Sequence, residues 1–498
     1  MPSKIASTSN PQLIVPTKNV IVDGVLRYPP TGTKVLIIGA GVGGLMTALE
    51  CWRKGIEVEI VEKTDVVSGH GDMFGIGPSG WTTLHHYPSM LKEYDEISWD
   101  SRMSFQARDG TEVSQEEFEY NREGVETNSA YPLRIKTLMS RYHCAQMLHS
   151  QCKRLGIPLT FNVAIEKYEE DITKGNATAV AQDGRRFTAD VVIAADGIGT
   201  KSHGVTLGRP VRAIKTGFDV YRVMYPTEQL KDAPVAEEMV RNLERPIIML
   251  LQADDLHVIS AISKDYIMFG ITTKDDDPDA TESWSSTVSN ETALSKLTEP
   301  EKWSPFIREI ILHSPENSIV RWSLRFRDPQ PQWTSSGGRI VQVGDSAHSF
   351  LPSSGNGAVQ ALEDAASLPE CLRLGGKGNE GVATKVHELL RYQRVSLIQH
   401  TGFVNMQYVH RDVSKMNPKG NPPMLQGKWL WGHNPEKYAT ENFAKARSHL
   451  ENGSPFENTN LPLGHKWSDW TMEDELAKHK AGINTEELLK NNGDWGLY

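Results

Sequence analysis

Lys34-Val35-Leu36-Ile37-Ile38-Gly39-Ala40-Gly41-Val42-Gly43-Gly44 is the stretch on which the fold turns. The apolar run at 35–38 has the continuous pattern of a strand buried on both faces, as in a parallel sheet. Glycines follow it directly, and residues 45–52 are rich in helix formers. Gly39 suits a tight turn, Gly41 lets backbone approach a pyrophosphate, and Gly44 lets helix and strand pack closely. A helix opening there offers free N–H groups and a positive dipole end to phosphates. Val58-Glu59-Ile60-Val61-Glu62 reads as the next strand. Glu62 at its end stands where a carboxylate accepts hydrogen bonds from ribose hydroxyls. Lys63 beside it is counted with the same site. The strand–turn–helix–strand context with this acid predicts a nucleotide-binding site.

Two further motifs lie outward from it. Ala189-Asp190-Val191-Val192-Ile193-Ala194-Ala195-Asp196-Gly197 is a buried strand ending in an Asp-Gly turn. Gly344-Asp345-Ser346-Ala347-His348 follows the apolar stretch at 340–343 and precedes Pro352, Gly355, Asn356, Gly357 and Glu363-Asp364. Its glycines suit backbone packed against a ligand. Asp345 at a strand end can hold a chain of hydroxyls, and the N–H groups of the helix start can stabilise negative charge. His348 reads as structural.

Between these motifs the pattern changes. Residues 247–251, 256–262 and 266–272 are close-set strands with short polar breaks, which predicts antiparallel neighbours. The expected organisation is an N-terminal arm at 1–33 with one added strand and order beginning at Lys34. A discontinuous nucleotide-binding domain at 34–209 and 331–400 follows, with a substrate-binding sheet domain at 210–330 and a C-terminal wrap at 401–498. The fold class is α/β: a Rossmann-like domain of the glutathione-reductase type, with an inserted, mainly antiparallel sheet and a helical or irregular C-terminal region. Helices are predicted at 136–155, 362–374 and 435–450, and core strands at 160–165 and 191–195. Asp275-Asp276-Asp277 reads as a solvated turn. Trp429, Trp431, Trp467 and Trp470 read as packing anchors of the tail.

The 498 residues carry 53 Lys and Arg against 63 Asp and Glu, a net charge of -10, with no basic block. Nucleic acid and anionic membranes are therefore not expected partners. Cys51, Cys144, Cys152 and Cys371 form no CxxC pair, so reduced core thiols are expected and no metal site. No signal-peptide pattern or spanning run is evident, and a cytoplasmic protein is expected.

Taken together and in this order, the three motifs resemble the single-component flavoprotein aromatic hydroxylases, which include para-hydroxybenzoate and salicylate hydroxylases. The likeness is greatest to the fungal branch acting on phenolic and polyketide metabolites, over about residues 34–400. The resemblance implies non-covalent FAD, NADPH or NADH as co-substrate, and O2. It implies hydroxylation of a small aromatic substrate, including attack at a substituted ring carbon with loss of aromaticity or of a carboxyl group, by a monomer or homodimer. Gly39, Gly41, Gly44 and Glu62 would hold the ADP half, with Arg141 near the flavin. Asp345 would contact the ribityl chain, and Pro352, Gly355, Asn356 and Gly357 would line the ring. Asp196 and Gly197 match a motif tied to both FAD and NAD(P)H. Tyr221, Arg222 and His257 are the candidates for substrate chemistry. Two positions depart from the family pattern: His203 where Arg is usual after the Asp-Gly motif, and Val359 where many relatives carry Asn. Competing functions are a flavin-dependent epoxidase or Baeyer–Villiger-type enzyme acting on an indole, alkene or ketone, and a non-catalytic binding protein on the same fold.

Overall fold

The computed structural model describes residues 18–67, 72–125, 134–274, 282–410 and 425–496. The start of the expected arm, the Asp275-Asp276-Asp277 turn, the stretch around Met416 and the last two residues lie outside these. The apolar run at 35–38 becomes the strand Lys34–Ile38, at the centre of a five-stranded parallel sheet. Glu57–Val61 and Leu159–Thr160 lie on one side of it, Val191–Ala194 and Ile340–Gln342 on the other. Alternation along the central strand divides its side chains between two layers. Val35 and Ile37 pack against the helices Val42–Arg53, Arg141–Arg154 and Gly357–Gly375. Leu36 and Ile38 pack against a three-stranded antiparallel sheet, Ile165–Asp171, Asn176–Ala181 and Arg186–Ala189.

The second body is an eight-stranded sheet. Ile247–Ala253, Leu256–Ile262 and Tyr266–Lys274 are consecutive antiparallel neighbours, as their short polar breaks predict. Ile214–Pro226, Ile319–Phe326 and Glu282–Val288 extend it at one side. At the other side it takes in Arg102–Ala107 and Glu112–Glu116, two strands that the sequence assigns to the nucleotide-binding half. Arg102–Ala107 pairs parallel to Ile247–Ala253, a long-range pairing that local periodicity does not encode.

Three other expectations need correction. Residues 136–155 are not one helix: Leu138–Ser140 is a strand between Met73–Gly75 and Ser98–Trp99, and the helix begins at Arg141. The expected strand at 160–165 is divided between two sheets, because Leu159–Thr160 pairs with Glu57–Val61 while Ile165 opens the antiparallel layer. Order does not start at Lys34: Val20–Val22 and Val25–Arg27 form a hairpin, and Tyr28 and Thr31 N–H groups donate to the carbonyls of Arg53 and Gly55.

The predicted tail helix forms at Pro435–Asn452 and packs on Gly357–Gly375 and on the long helix Glu380–Val409. Trp431 and Trp470 are buried in the body and Trp429 and Trp467 partly so. All four cysteines are free and buried. Among the described residues no helix is long and apolar enough to cross a membrane.

Candidate functional site

The central strand delivers Gly39 to the edge of the parallel sheet with φ +106°, where a Cβ would lie 2.5 Å from the Ala195 carbonyl oxygen. At Gly44 a Cβ would lie 2.1 Å from the Gly39 carbonyl oxygen, so glycine is obligatory there. Gly41 has nothing within 4 Å of its open side. It precedes the helix Val42–Arg53 without a side-chain cap, leaving first-turn N–H groups for an anion. Glu62 sits at the rim of this loop. Its Oε2 accepts from Ala40 N–H at 2.7 Å, and its Oε1 from Thr64 N–H at 3.0 Å and Thr64 Oγ1 at 2.9 Å. Lys63 is exposed beside it.

The Asp-Gly turn abuts Gly39. Asp196 Oδ2 accepts from the Tyr168 hydroxyl at 2.6 Å, and burial raises the Asp196 carboxyl above its ordinary value. Gly197, at φ +73°, borders open space. Arg327, a residue the motifs do not reveal, ties this turn to the third motif: it donates to the Ile198 carbonyl and, at 3.3 Å, to the Asp345 carbonyl. His203 lies in the same pocket, and burial, with Arg327 nearby, pushes its ring down to about 4.

Asp345 is informative about the cleft. Its side chain is open to solvent, yet the protein around it is dense enough that desolvation raises its carboxyl, against the pull of His348, Arg141 and Arg327. A group in that position lines a deep cleft and not the outer surface. Pro352 and Gly355 are exposed to the same space, Gly355 with φ +62°. Asn356 is buried and ends the loop, and Gly357 opens a helix without a side-chain cap. This helix packs beside the first one, where a Cβ on Gly43 would meet Ala361 Cβ at 3.1 Å. Two uncapped helix starts thus belong to one packed pair.

Buried charges brace the third motif from behind. Asp364 accepts from Gly344 N–H at 3.0 Å, from His348 Nε2 at 2.6 Å and from Arg391 Nε at 2.9 Å. Glu363 accepts from Arg394 at 2.9 and 3.0 Å and from Arg391. Burial opposes ionisation of both carboxyls. Arg394 and Arg391 outweigh it at Glu363, and His348 and Arg391 at Asp364, so both are held well below the usual range. Arg394 also donates to the carbonyls of Leu430 (2.8 Å), Trp429 (3.0 Å) and Asn460 (3.2 Å), joining the loop's support to the C-terminal segment.

The large sheet faces this cleft with one surface only. Arg222 reaches Asp72 Oδ2 at 3.4 Å and lies over the Trp322 ring at 5.6 Å. Arg141 Nε approaches Asp72 Oδ1 at 3.5 Å and lies over Phe74 at 5.3 Å. Asp72 is therefore bracketed by an arginine from each body. It was missed in the sequence because it acts through the pairing of Met73–Gly75 with Leu138–Ser140, which no local pattern announces. Burial lowers the Arg222 guanidinium, and Asp72 offsets that. On the same surface Met103, Phe105, Met224, His257, Ile259 and Trp322 are only half-buried, although they lie inside the molecule.

Tyr221 does not belong with them. Strand alternation turns it to the other surface, where it is 0% exposed in an apolar core with Val223, Tyr225, Phe269 and Ile307. Lys296 and Arg321 lie over its ring at 5.3 and 6.0 Å. The structure thus separates two sequence-predicted candidates that are adjacent in the chain. His257 is on the cleft side, its ring 4.9 Å from that of His410.

These features fit FAD: obligatory glycines, two uncapped helix starts, and a carboxylate exposed inside a deep cleft. The fold and site define a flavin-binding oxidoreductase. The family described as "FAD binding domain" matches residues 32–383, and the chain belongs to it. The chain is an FAD-dependent monooxygenase. It is 37% identical over 487 residues to the FAD-dependent monooxygenase fsr3 of Gibberella fujikuroi, spanning 95% of this chain and 91% of that one. The FAD-dependent monooxygenase mdpD of Emericella nidulans is 36% identical, with 94% and 91% covered. Among solved structures, CtdE in complex with FAD and substrate 4 is 27% identical with a TM-score of 0.76, covering 84% of this chain and 100% of that one. A salicylate hydroxylase substrate complex shares the fold, with a TM-score of 0.65 at 20% identity.

Proposed function

We propose that this monooxygenase uses NAD(P)H and O2 to hydroxylate a phenolic or polyketide-like aromatic molecule held on the cleft surface of the large sheet. The observation that carries this is Arg222: a guanidinium inside the molecule, steadied by Asp72 and flanked by Trp322, on a mostly apolar surface that is only half-covered. A fork of N–H donors in such a place suits a phenolate oxygen or carboxylate, and Trp322 offers a flat apolar wall. Bound FAD supplies the reduction and oxygen-transfer chemistry.

The chain's own residues divide the remaining work. Gly39, Gly41, Gly44, Glu62 and Lys63 would hold the ADP half. Arg141, Asp196, Gly197 and Asp345 would hold its middle, and Pro352, Gly355, Asn356 and Gly357 the ring. Arg222 would orient the substrate and favour its anionic form. Asp72 would fix Arg222 relative to Arg141, so that substrate and cofactor sides keep one register. Met103, Phe105, Met224 and Ile259 would keep water from the reacting atoms.

The test is substrate-stimulated NAD(P)H oxidation by the holoenzyme across a panel of phenols, with 18O2 tracing. Ring hydroxylation with label in the product is the expected result. Stimulation only by an alkene, indole or ketone, with label in an epoxide or ester, would move the chain to the alternative monooxygenase chemistry.

A further inference from the structure

At the far side of the cleft surface from Arg222 lies a polar group that the proposed reaction does not use. His410, at the end of the long helix Glu380–Val409, stacks flat on Phe218 with ring centres 4.4 Å apart and planes 5° from parallel. His257 leans on it at 4.9 Å, tilted by 37°. Two imidazoles and a phenyl ring from three separate elements thus form one aromatic block. Phe218 carries the block onward to the cluster of Phe326, Leu351, Phe403 and Trp470, and Leu351 directly precedes Pro352 of the third motif.

The nitrogens of this block are the unexplained part. Among the described residues, His257 Nδ1 and His410 Nε2 are buried and have no hydrogen-bond partner. His410 is 8% exposed, while His257 is half-buried, on the same surface as Ile259. A buried polar atom without a partner costs about 1–3 kcal/mol, so two side by side call for a ligand or a structural reason. Packing supplies no such reason, since phenylalanine would stack on Phe218 equally well without the cost. Burial keeps His257 well below its usual range and His410 at about 4, with each other and Asp255 as the facing titratable groups and Lys274 beyond. Both rings are therefore neutral at ordinary pH, each with one nitrogen that donates and one that accepts.

The register gives the distance. Arg222 pairs with Gly270, Gly270 pairs with Ile259, and His257 lies two residues further along that strand. Arg222 and His257 are thus about 12 Å apart, from two strand spacings of ~4.8 Å and two residue rises of ~3.4 Å. Between them lie Val220, Ile259, the side-chain-free Gly270 and the buried Thr272.

We infer that His257 and His410 form a second polar subsite, which hydrogen-bonds an oxygen substituent at the end of the substrate remote from Arg222. The substrate is then an elongated planar aromatic of at least two fused rings, carrying an acidic oxygen at one end and a hydroxyl or carbonyl at the other. This rests on the reading of the cleft surface as the substrate floor and adds what the substrate must carry. No bond is made or broken at the subsite, and its residues position the ring system.

The experiment is a cycle between ligand and protein. Holoenzyme is titrated with naphthol and with a dihydroxynaphthalene whose second hydroxyl lies on the far ring, following perturbation of the flavin absorbance. Wild type, His257→Phe and His410→Phe are compared, with flavin content confirming that each is folded and loaded; His257→Gln and His410→Gln stand in for a Phe variant that does not load. The two-ended ligand should bind wild type at least about tenfold more tightly than the one-ended ligand, and each variant should erase most of that advantage. Equal affinity of the two ligands for wild type, or equal loss of both in the variants, overturns the subsite. Hydroxylation is scored separately: if the binding cycle holds but no phenol is oxygenated, the subsite stands and the hydroxylase reading falls. If phenols are oxygenated while the cycle is flat, the reverse applies.

Discussion

Tyr221 and Arg222 are consecutive residues that live in different media. Tyr221 faces a sealed core built with the helices Pro234–Asn242 and Pro305–Leu312, where Val258, Ile267, Phe269 and Ile271 are all fully buried. Arg222 faces a surface whose residues are half-covered although they are interior. One sheet thus has a face that has finished folding and a face that still has area to bury. Apolar area left uncovered inside a protein is unfavourable by roughly 25 cal/mol per Å². A sheet that keeps such a face is organised around something that will cover it.

That contrast can be broken experimentally. The largest effect should come from Arg222→Ala, with kcat/KM on the best phenol falling about a hundredfold or more at unchanged flavin content. A fall of less than tenfold would remove Arg222 from the substrate. On the sealed face Phe269→Ala should cost about 3–5 kcal/mol in urea unfolding, with KM unmoved in the molecules that remain folded. A selective rise in KM would show that the two faces are not independent.

The open face should also carry a pH signature. The ordinary value for a histidine is 6.5, and burial pushes the His410 ring down to about 4. Between those values the unfolded chain binds a proton that the folded chain refuses, so stability falls as pH drops through this window, by up to about 3 kcal/mol. His410→Phe should flatten that part of the curve, measured as unfolding midpoint against pH. The smallest effect belongs to Tyr221→Phe: kcat/KM within about twofold, and stability changed by no more than ~1.5 kcal/mol. A large catalytic loss there would erase the distinction between the faces.

What could be read from the chain alone follows the same division. The proposed cofactor side is made by backbone. Gly39 and Gly44 are needed at their positions in the strand-to-helix turn, and Gly355 holds a left-handed φ of +62° before the next helix, so residue type and spacing carry the information. The braces behind it are long-range pairings. Arg327 spans two motifs, and Arg391 and Arg394 reach Glu363 and Asp364 from the next helix, so none has a local signature. Asp72 becomes meaningful only when Met73–Gly75 finds Leu138–Ser140, a pairing hidden by a segment that resembles helix. On the substrate side, period-two alternation decides which of Tyr221 and Arg222 meets the cleft. The flanking strands, and not the dipeptide, choose the face. His257 was visible as a residue type, but His410 was not, because its neighbour Phe218 comes from far away in the chain.

Arg394 sets a schedule as well as a geometry. Three of its acceptors are the carbonyls of Trp429, Leu430 and Asn460, while its carboxylate partner Glu363 belongs to the helix that opens at Gly357. During synthesis the glycine turn at 39–44 emerges well before Trp429, Leu430 and Asn460, the residues that complete the support for the helix Gly357–Gly375. The brace behind that helix therefore cannot be complete until Asn460 has been made. A chain ended before Trp429 would be left with Arg394 reaching for acceptors that were never made.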